Sequence, residues 1–248
     1  MMKERYHVKN LRTMSAIMYD HSQASAFTAE QPMNNIVRGT VNALVQALAG
    51  VQVISVACFD EAHAIPTPEA ARIGLRTQQI IAHETGVANT VDPLAGSYFV
   101  EALTDELEEK AMEIFDEVQA LGGAVAGIEQ GFQERAIAEE AYRHARQVKS
   151  RERVVVGVNE FRVDEKVPFG IMKVDPEEEE RQIEKVQRLK KERDSGKVKH
   201  ALEGIRAAAE DKVNLVPSIL GAVKDYATIG EICDVLRDVF GEYELSPM

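Results

Sequence analysis

The chain has 248 residues, 45% hydrophobic and 28% charged, with a formal net charge of -12. This is the composition of one large or two small globular domains, and the acidic excess argues against nucleic acid or an anionic membrane as the main partner. Two distant cysteines, Cys58 and Cys233, exclude a disulfide framework or a CxxC metal pair. No apolar run approaches the roughly 18 residues of a membrane span. The N-terminus lacks the apolar core of a signal peptide, so a cytoplasmic location with reduced thiols is expected.

In chain order, 3–10 is polar and basic, and Met14–Tyr19 reads as a short buried strand. It ends in Asp20, His21, Ser22 and Gln23. Asn34 or Asn35 can cap the next helix. There Ile36, Val37, Val41, Leu44, Val45 and Leu48 recur at helical spacing and predict the buried stripe. Gly50 stops that helix, and the β-branched run from Val51 to Phe59 predicts a second buried strand. Thr67 as N-cap with Pro68 behind it opens a helix to about Glu84. Further helices are expected over about 101–121, 133–149, 175–193, 198–209, 215–226 and 229–240. Arg153–Val163 predicts one more strand, and the charged run after Pro176 reads as a solvated helix face.

The stretch 34–66 organises the first part of the chain. A helix, an apolar strand, then Asp60, Glu61 and His63 just past the strand is the layout of one α/β-barrel step. In such barrels the chemistry sits at that end. The same acids also suit a plain helix cap. Two parallel strands cannot close a barrel or cover their own edges, so residues 1–60 read as the last part of a larger body.

Several words of the sequence carry a family resemblance: HSQ (21–23), NNIVR (34–38), FDEAHAIPT (59–67), TQQIIAHETGV (77–87), DPLAGSYFVEALT (92–104), VVGVNEF (155–161), RQIEKVQRLKKERD (181–194) and TIGEICDVLRDVFGEY (228–243). In this order and spacing the chain resembles the C-terminal part of the catalytic large subunit of adenosylcobalamin-dependent acyl-CoA mutases. That family includes methylmalonyl-CoA, isobutyryl-CoA and 2-hydroxyisobutyryl-CoA mutases.

The resemblance implies a helix-rich α/β fold: a partial TIM barrel, its last two βα units, followed by a helical linker region with one further strand. Ser15–Tyr19 would be the seventh barrel strand and Val51–Ala57 the eighth. The implied domains are 1–86 (end of the barrel), 87–152 (outer helices) and 153–248 (post-barrel strand and helices). Strands one to six, the family's active-site tyrosine and histidine, and the cobalamin domain with its DxHxxG motif have no counterpart here. The expected activity is a radical carbon-skeleton isomerisation of an acyl-CoA. The expected cofactor, adenosylcobalamin, would be held by a separate small cobalamin-binding subunit. An N-terminal barrel fragment would complete an oligomer.

By the same resemblance, Gln23 and Glu61 lie near the adenosyl group, and Ala64 matches a small residue that lets adenosine approach the backbone. Ala26 aligns with a family glycine, and His21 and Gln52 belong to the substrate channel. No catalytic residue and no metal ligand is assigned. The chain departs from the family's LRTHSQTSG and QSLHTNSFDEA patterns: Tyr19 stands for an arginine, Val53 for a serine, and Ser55, Val56 and Ala57 for His, Thr and Asn. These changes remove polar groups expected to line the channel. They suit a different acyl group, or a non-catalytic truncated or degenerate paralogue serving as an interaction module. A fragment of an ordinary mutase is a third reading.

Overall fold

The computed structural model describes residues 3–22, 24–165, 167, 169–173 and 175–243. It is helix-rich and divides into two compact units, Met1–Lys173 and Val174–Met248.

The first unit is built on a β-α-β step. Strand β1 (Tyr19–His21) and strand β2 (Val53–Ser55) pair in parallel, Tyr19 with Val53, Asp20 with Ile54 and His21 with Ser55. A helical crossover is what a parallel pair requires. A short helix α1 (Leu11–Met14), capped by the Asn10 side chain, precedes β1. Helix α2 (Asn34–Leu48) joins the strands, and α3 (Pro68–Glu84) follows β2. Helices α4 (Tyr98–Ala120), α5 (Ala124–Glu129) and α6 (Phe132–Ser150) complete the helical part of the unit. Thr67 caps α3 by accepting from the Ala70 N–H at 3.2 Å, with Pro68 in the first turn, as the sequence predicts.

Three expectations are corrected. The strand expected over Met14–Tyr19 lies further on, because Asn10 turns Leu11–Met14 into a helical turn. Nor is it buried: Ile17 is 81% exposed and Tyr19 is exposed too. The stripe expected to bury α2 is half outside. Val37, Val41 and Val45 are 64, 56 and 58% exposed. The buried residues of α2 are Asn35, Gly39, Ala43 and Gln46. Close packing of a helix on a strand selects small residues at the contact, so the valines are left facing outward. A Cβ on Gly39 would stand 3.0 Å from Val56 Cγ1, and one on Gly74 of α3 would stand 3.4 Å from the Val56 carbonyl oxygen.

The third correction concerns the further strand over Arg153–Val163, which is a turn stitched by Asn159. Its Oδ1 accepts from the Val155 N–H at 2.7 Å. Its Nδ2 donates to the carbonyls of Val148 and Arg153, each at 2.7 Å. Gly157 takes the left-handed conformation that the turn needs (φ 84). The β-branched run finds no neighbouring strand there, beyond an isolated bridge between Val156 and Glu160, so side-chain bonds satisfy its backbone instead.

The second unit holds α7 (Pro176–Glu192), α8 (Ser195–Glu210), α9 (Val216–Lys224) and α10 (Ile229–Phe240). Its core is Ile205, Ala222 and Ile232, flanked by Leu202, Ile219, Val235 and Leu236. The α10 N-terminus carries a full capping box between Thr228 and Glu231. Arg193 grips the same Glu231 with both terminal nitrogens and donates to the Tyr226 carbonyl at 2.7 Å. No helix among the described residues is long and apolar enough to cross a membrane.

Candidate functional site at the strand ends

The C-terminal ends of β1 and β2 lead into two loops, 22–33 and 56–67. Ser22 is fully buried and joins them at the base. Its N–H donates to the Ser55 carbonyl at 2.8 Å, and its hydroxyl accepts from the Ala57 N–H at 2.5 Å.

Asn35, in the first turn of α2, sits between the loops and is 1% exposed. Its Nδ2 donates to the carbonyls of Thr28 and Phe59, both at 2.9 Å. Its Oδ1 accepts from the Thr28 N–H at 3.1 Å and from Arg38 at 2.8 Å. Both donors and both lone-pair directions of the amide are used. Arg38 also donates to the Val156 carbonyl at 2.8 Å, and Gln31 to the Phe161 carbonyl at 3.0 Å. The segments NNIVR and VVGVNEF, far apart in sequence, therefore meet.

The two adjacent acids have separate fates. Asp60 is 2% exposed, and its Oδ2 accepts from the N–H and hydroxyl of Thr67 at 2.8 and 2.9 Å. Its other oxygen is buried without a partner among the described residues. Glu61 is exposed, and none of the hydrogen bonds or ion pairs found among the described residues engages its carboxylate. The main chain around it is fixed. Its N–H bonds the Cys58 carbonyl at 3.0 Å, and the N–H of His63 bonds the Asp60 carbonyl at 2.8 Å. His63 Nε2 lies 3.0 Å from the Ala29 carbonyl, a second tie between the loops. Phe169 packs edge-on against the rings of Phe59 and His63, with centroids 5.0 and 5.8 Å apart. The Cys58 thiol is pushed above its ordinary pKa by burial first, then by the charges of Asp60 and Glu61.

The remaining candidates are scattered. His21 is the exposed last residue of β1. Ala26 ends a 3₁₀ turn, Ala24–Ala26, on the wall of an open cleft of about 1550 Å³ that it shares with Val37, Arg38, Ile137 and Val156. Ala64 is half-buried and its N–H bonds the Asp60 carbonyl at 3.3 Å. Gln52 lies at the opposite end of the strands from His21. There it accepts from the Met18 N–H at 2.8 Å and donates to the Gly50 carbonyl at 2.7 Å. Gln23 lies outside the described residues. Of the departures at 55–57, Val56 turns its side chain toward Gly39 on α2, so it fills a helix contact.

Sequence reasoning missed Asn35, Ser22 and Phe169. The sequence reads Asn34 or Asn35 as a helix cap, but the cap position is Met33, with no side-chain cap bond, and Asn35 lies inside the first turn with its amide turned to the loops. Among the described residues there is no cluster of His, Cys, Asp and Glu able to hold a metal ion. The two loops leave open the exposed Glu61 carboxylate, small side chains and backbone amides. A carboxylate among small residues suits hydrogen bonds from ligand hydroxyls, and the described residues offer no ligand set for a metal.

This is an α/β strand-end site, two loops bolted together beneath an exposed carboxylate. The family model for methylmalonyl-CoA mutase matches residues 1–242, and the chain belongs to that family. It is 42% identical over its whole length to the 2-hydroxyisobutanoyl-CoA mutase large subunit of Aquincola tertiaricarbonis, of which it covers 44%. It is 40% identical to the methylmalonyl-CoA mutase of Rhizobium meliloti, with 95% of this chain and 34% of that protein aligned. Against the methylmalonyl-CoA mutase of Escherichia coli strain K12 the identity is 36%, over 92% of this chain and 32% of that protein. The chain thus spans less than half the length of these relatives.

Proposed function

We propose that this chain supplies the last two strand–helix steps of an acyl-CoA mutase barrel, with residues 1–86 forming the end of that barrel. It works in a complex that isomerises an acyl-CoA carbon skeleton with adenosylcobalamin. The observation that carries the reading is the exposed, unpaired carboxylate of Glu61, held on a rigid loop at the C-terminal end of a parallel strand in a chain of this family. Glu61 accepts from the ribose hydroxyls of the adenosyl group, while Ala64 and Ala26 leave room for it beside the backbone. By the family resemblance, Gln23 serves the same group. His21 and Gln52 belong to the channel, His21 at the mouth and Gln52 at the far end. The cofactor, when bound, supplies the carbon radical through cobalt–carbon homolysis, and the protein supplies position. The corrin belongs to a separate cobalamin-binding subunit, and an N-terminal mutase fragment supplies the other strands. The open edges of β1 and β2 and the valine face of α2 support that partnership, because bare strand edges and apolar faces need cover.

The test is reconstitution. The chain is co-expressed with an N-terminal mutase fragment and a cobalamin-binding subunit, resolved by size exclusion, and assayed with methylmalonyl-, isobutyryl- and 2-hydroxyisobutyryl-CoA. A stable complex with adenosylcobalamin-dependent turnover is expected. A complex without turnover on any acyl-CoA supports instead a non-catalytic interaction module, a reading favoured by the apolar Ala57 just past the second strand, where the resemblance expects a polar residue. No complex at all sinks the proposal.

A further inference from the structure

We propose that Asn35 is a positioning residue that sets the two halves of the proposed nucleoside site in register. This inference rests on the adenosyl reading of Glu61. The two loops carry the two sides of that site: Ala26 lies two residues before Thr28, and Glu61 two residues after Phe59. Asn35 binds both anchor points with one side chain, through Thr28 O and N on one loop and Phe59 O on the other. A planar amide with donors and acceptor at fixed angles is the side chain that can do this; an aspartate keeps the acceptor contacts and loses both donors. Arg38 completes the lock by bonding both Oδ1 of Asn35 and the Thr28 hydroxyl, at 2.8 and 2.9 Å.

Beyond the register point, the Glu61 loop is held at its other end by Asp60 on Thr67. The other polar ties between the loops among the described residues are the Ser22 hydroxyl on the Ala57 N–H at the base and the His63–Ala29 contact. They lie on either side of Phe59, whose carbonyl is held across the loops by Asn35. Removing the Asn35 donors therefore releases the strand-side root of Glu61 without unpinning the rest of the loop. Asn35 touches no ligand. It acts through the place of Glu61.

The experiment titrates the co-expressed complex with adenosine and, separately, with 2′,3′-dideoxyadenosine, by ligand-observed NMR. The two differ only in the vicinal hydroxyls that Glu61 would accept. The wild type is expected to prefer adenosine about tenfold, the size of one good charge-assisted hydrogen bond. In Asn35→Asp that preference falls to below about twofold. A purely structural role would weaken both ligands alike and leave the ratio unchanged. Ile81→Val, buried near the C-terminal end of α3 and outside both loops, serves as the destabilised control and keeps the tenfold ratio. Should Asn35→Asp fold poorly, Asn35→Ser is measured in the same way. An unchanged ratio in a folded Asn35 variant overturns this inference and leaves the adenosyl reading intact. A wild type with no preference, or no binding, overturns the adenosyl reading itself and this inference with it.

Discussion

The carboxylate of Asp60 accepts both the backbone N–H and the hydroxyl of Thr67, at 2.8 and 2.9 Å. Through Thr67 it also steadies the cap of α3. Its neighbour Glu61 is exposed and unengaged. Asp60→Ala strips acceptors from two donors in a half-buried loop. It is expected to lower stability by about 2–3 kcal/mol. Glu61→Gln is expected to change stability by less than about 0.5 kcal/mol, as for an ordinary surface position. Urea denaturation followed by circular dichroism distinguishes them; equal losses would contradict the division of roles.

In the second unit, Glu231 is held at a pKa of about 2, against an ordinary 4.5. The cause is chiefly the hydrogen bond from Arg193, opposed by burial and reinforced by Thr228. A carboxyl with a depressed folded-state pKa contributes stability that is complete above 4.5 and is lost as pH falls from there to about 2. The contribution is about 2 kcal/mol after allowance for the partial exposure of Glu231. Glu231→Gln should cost about that much at pH 7 and almost nothing at pH 2. The expected signature is two stability curves that converge on acidification. A gap that stays constant with pH would show that the pair is not ionic in effect.

The helices of this protein are legible from its sequence wherever a local chemical mark fixes them. Thr67-Pro68, Asp175-Pro176 and Thr228 with Glu231 each place a helix start where the structure has it. The errors arise where burial was inferred from apolar spacing alone. Val37, Val41 and Val45 point outward because the buried face of α2 is Asn35, Gly39, Ala43 and Gln46, and hydrophobic period cannot tell two faces of one helix apart when one is small and the other branched. The run at 153–163 has strand propensity and no strand to pair with, so Gly157 and Asn159 decide its shape. At the site, Glu61 is legible as a polar residue just past a strand. Asn35 is not, since its partners Thr28 and Phe59 are brought together only by the tertiary fold.

The two cysteines provide a simple chemical probe. Cys233 is exposed, whereas Cys58 is half-buried, with its thiol pKa raised by burial and by Asp60 and Glu61. The thiolate is the reactive form. At pH 7.5, iodoacetamide should modify Cys233 at least about tenfold faster than Cys58. Cys58 should speed up in Glu61→Gln, since one of its two repelling charges is gone. Labelling read by peptide mass spectrometry checks both; comparable rates at the two cysteines would mean that the strand-end loops open readily.

Two glycines test the packing directly. Gly39 lies within α2, where alanine would gain helix propensity of up to about 1 kcal/mol. Its new Cβ, however, would stand 3.0 Å from Val56 Cγ1 and 3.3 Å from the Phe27 ring. Val56 is branched and Phe27 is buried, so neither yields easily, and overpacking costs about 1–3 kcal/mol. The balance for Gly39→Ala is a net loss of about 1 kcal/mol. Gly204 lies within α8 with nothing inside 4 Å of an added Cβ. Gly204→Ala gains the propensity with no opposing term and should stabilise by about 0.5–1 kcal/mol. Opposite shifts in the thermal midpoints of the two variants are expected. A stabilising Gly39→Ala would show that α2 does not rest against Val56, and with it that the valine face of this helix is not the outward one.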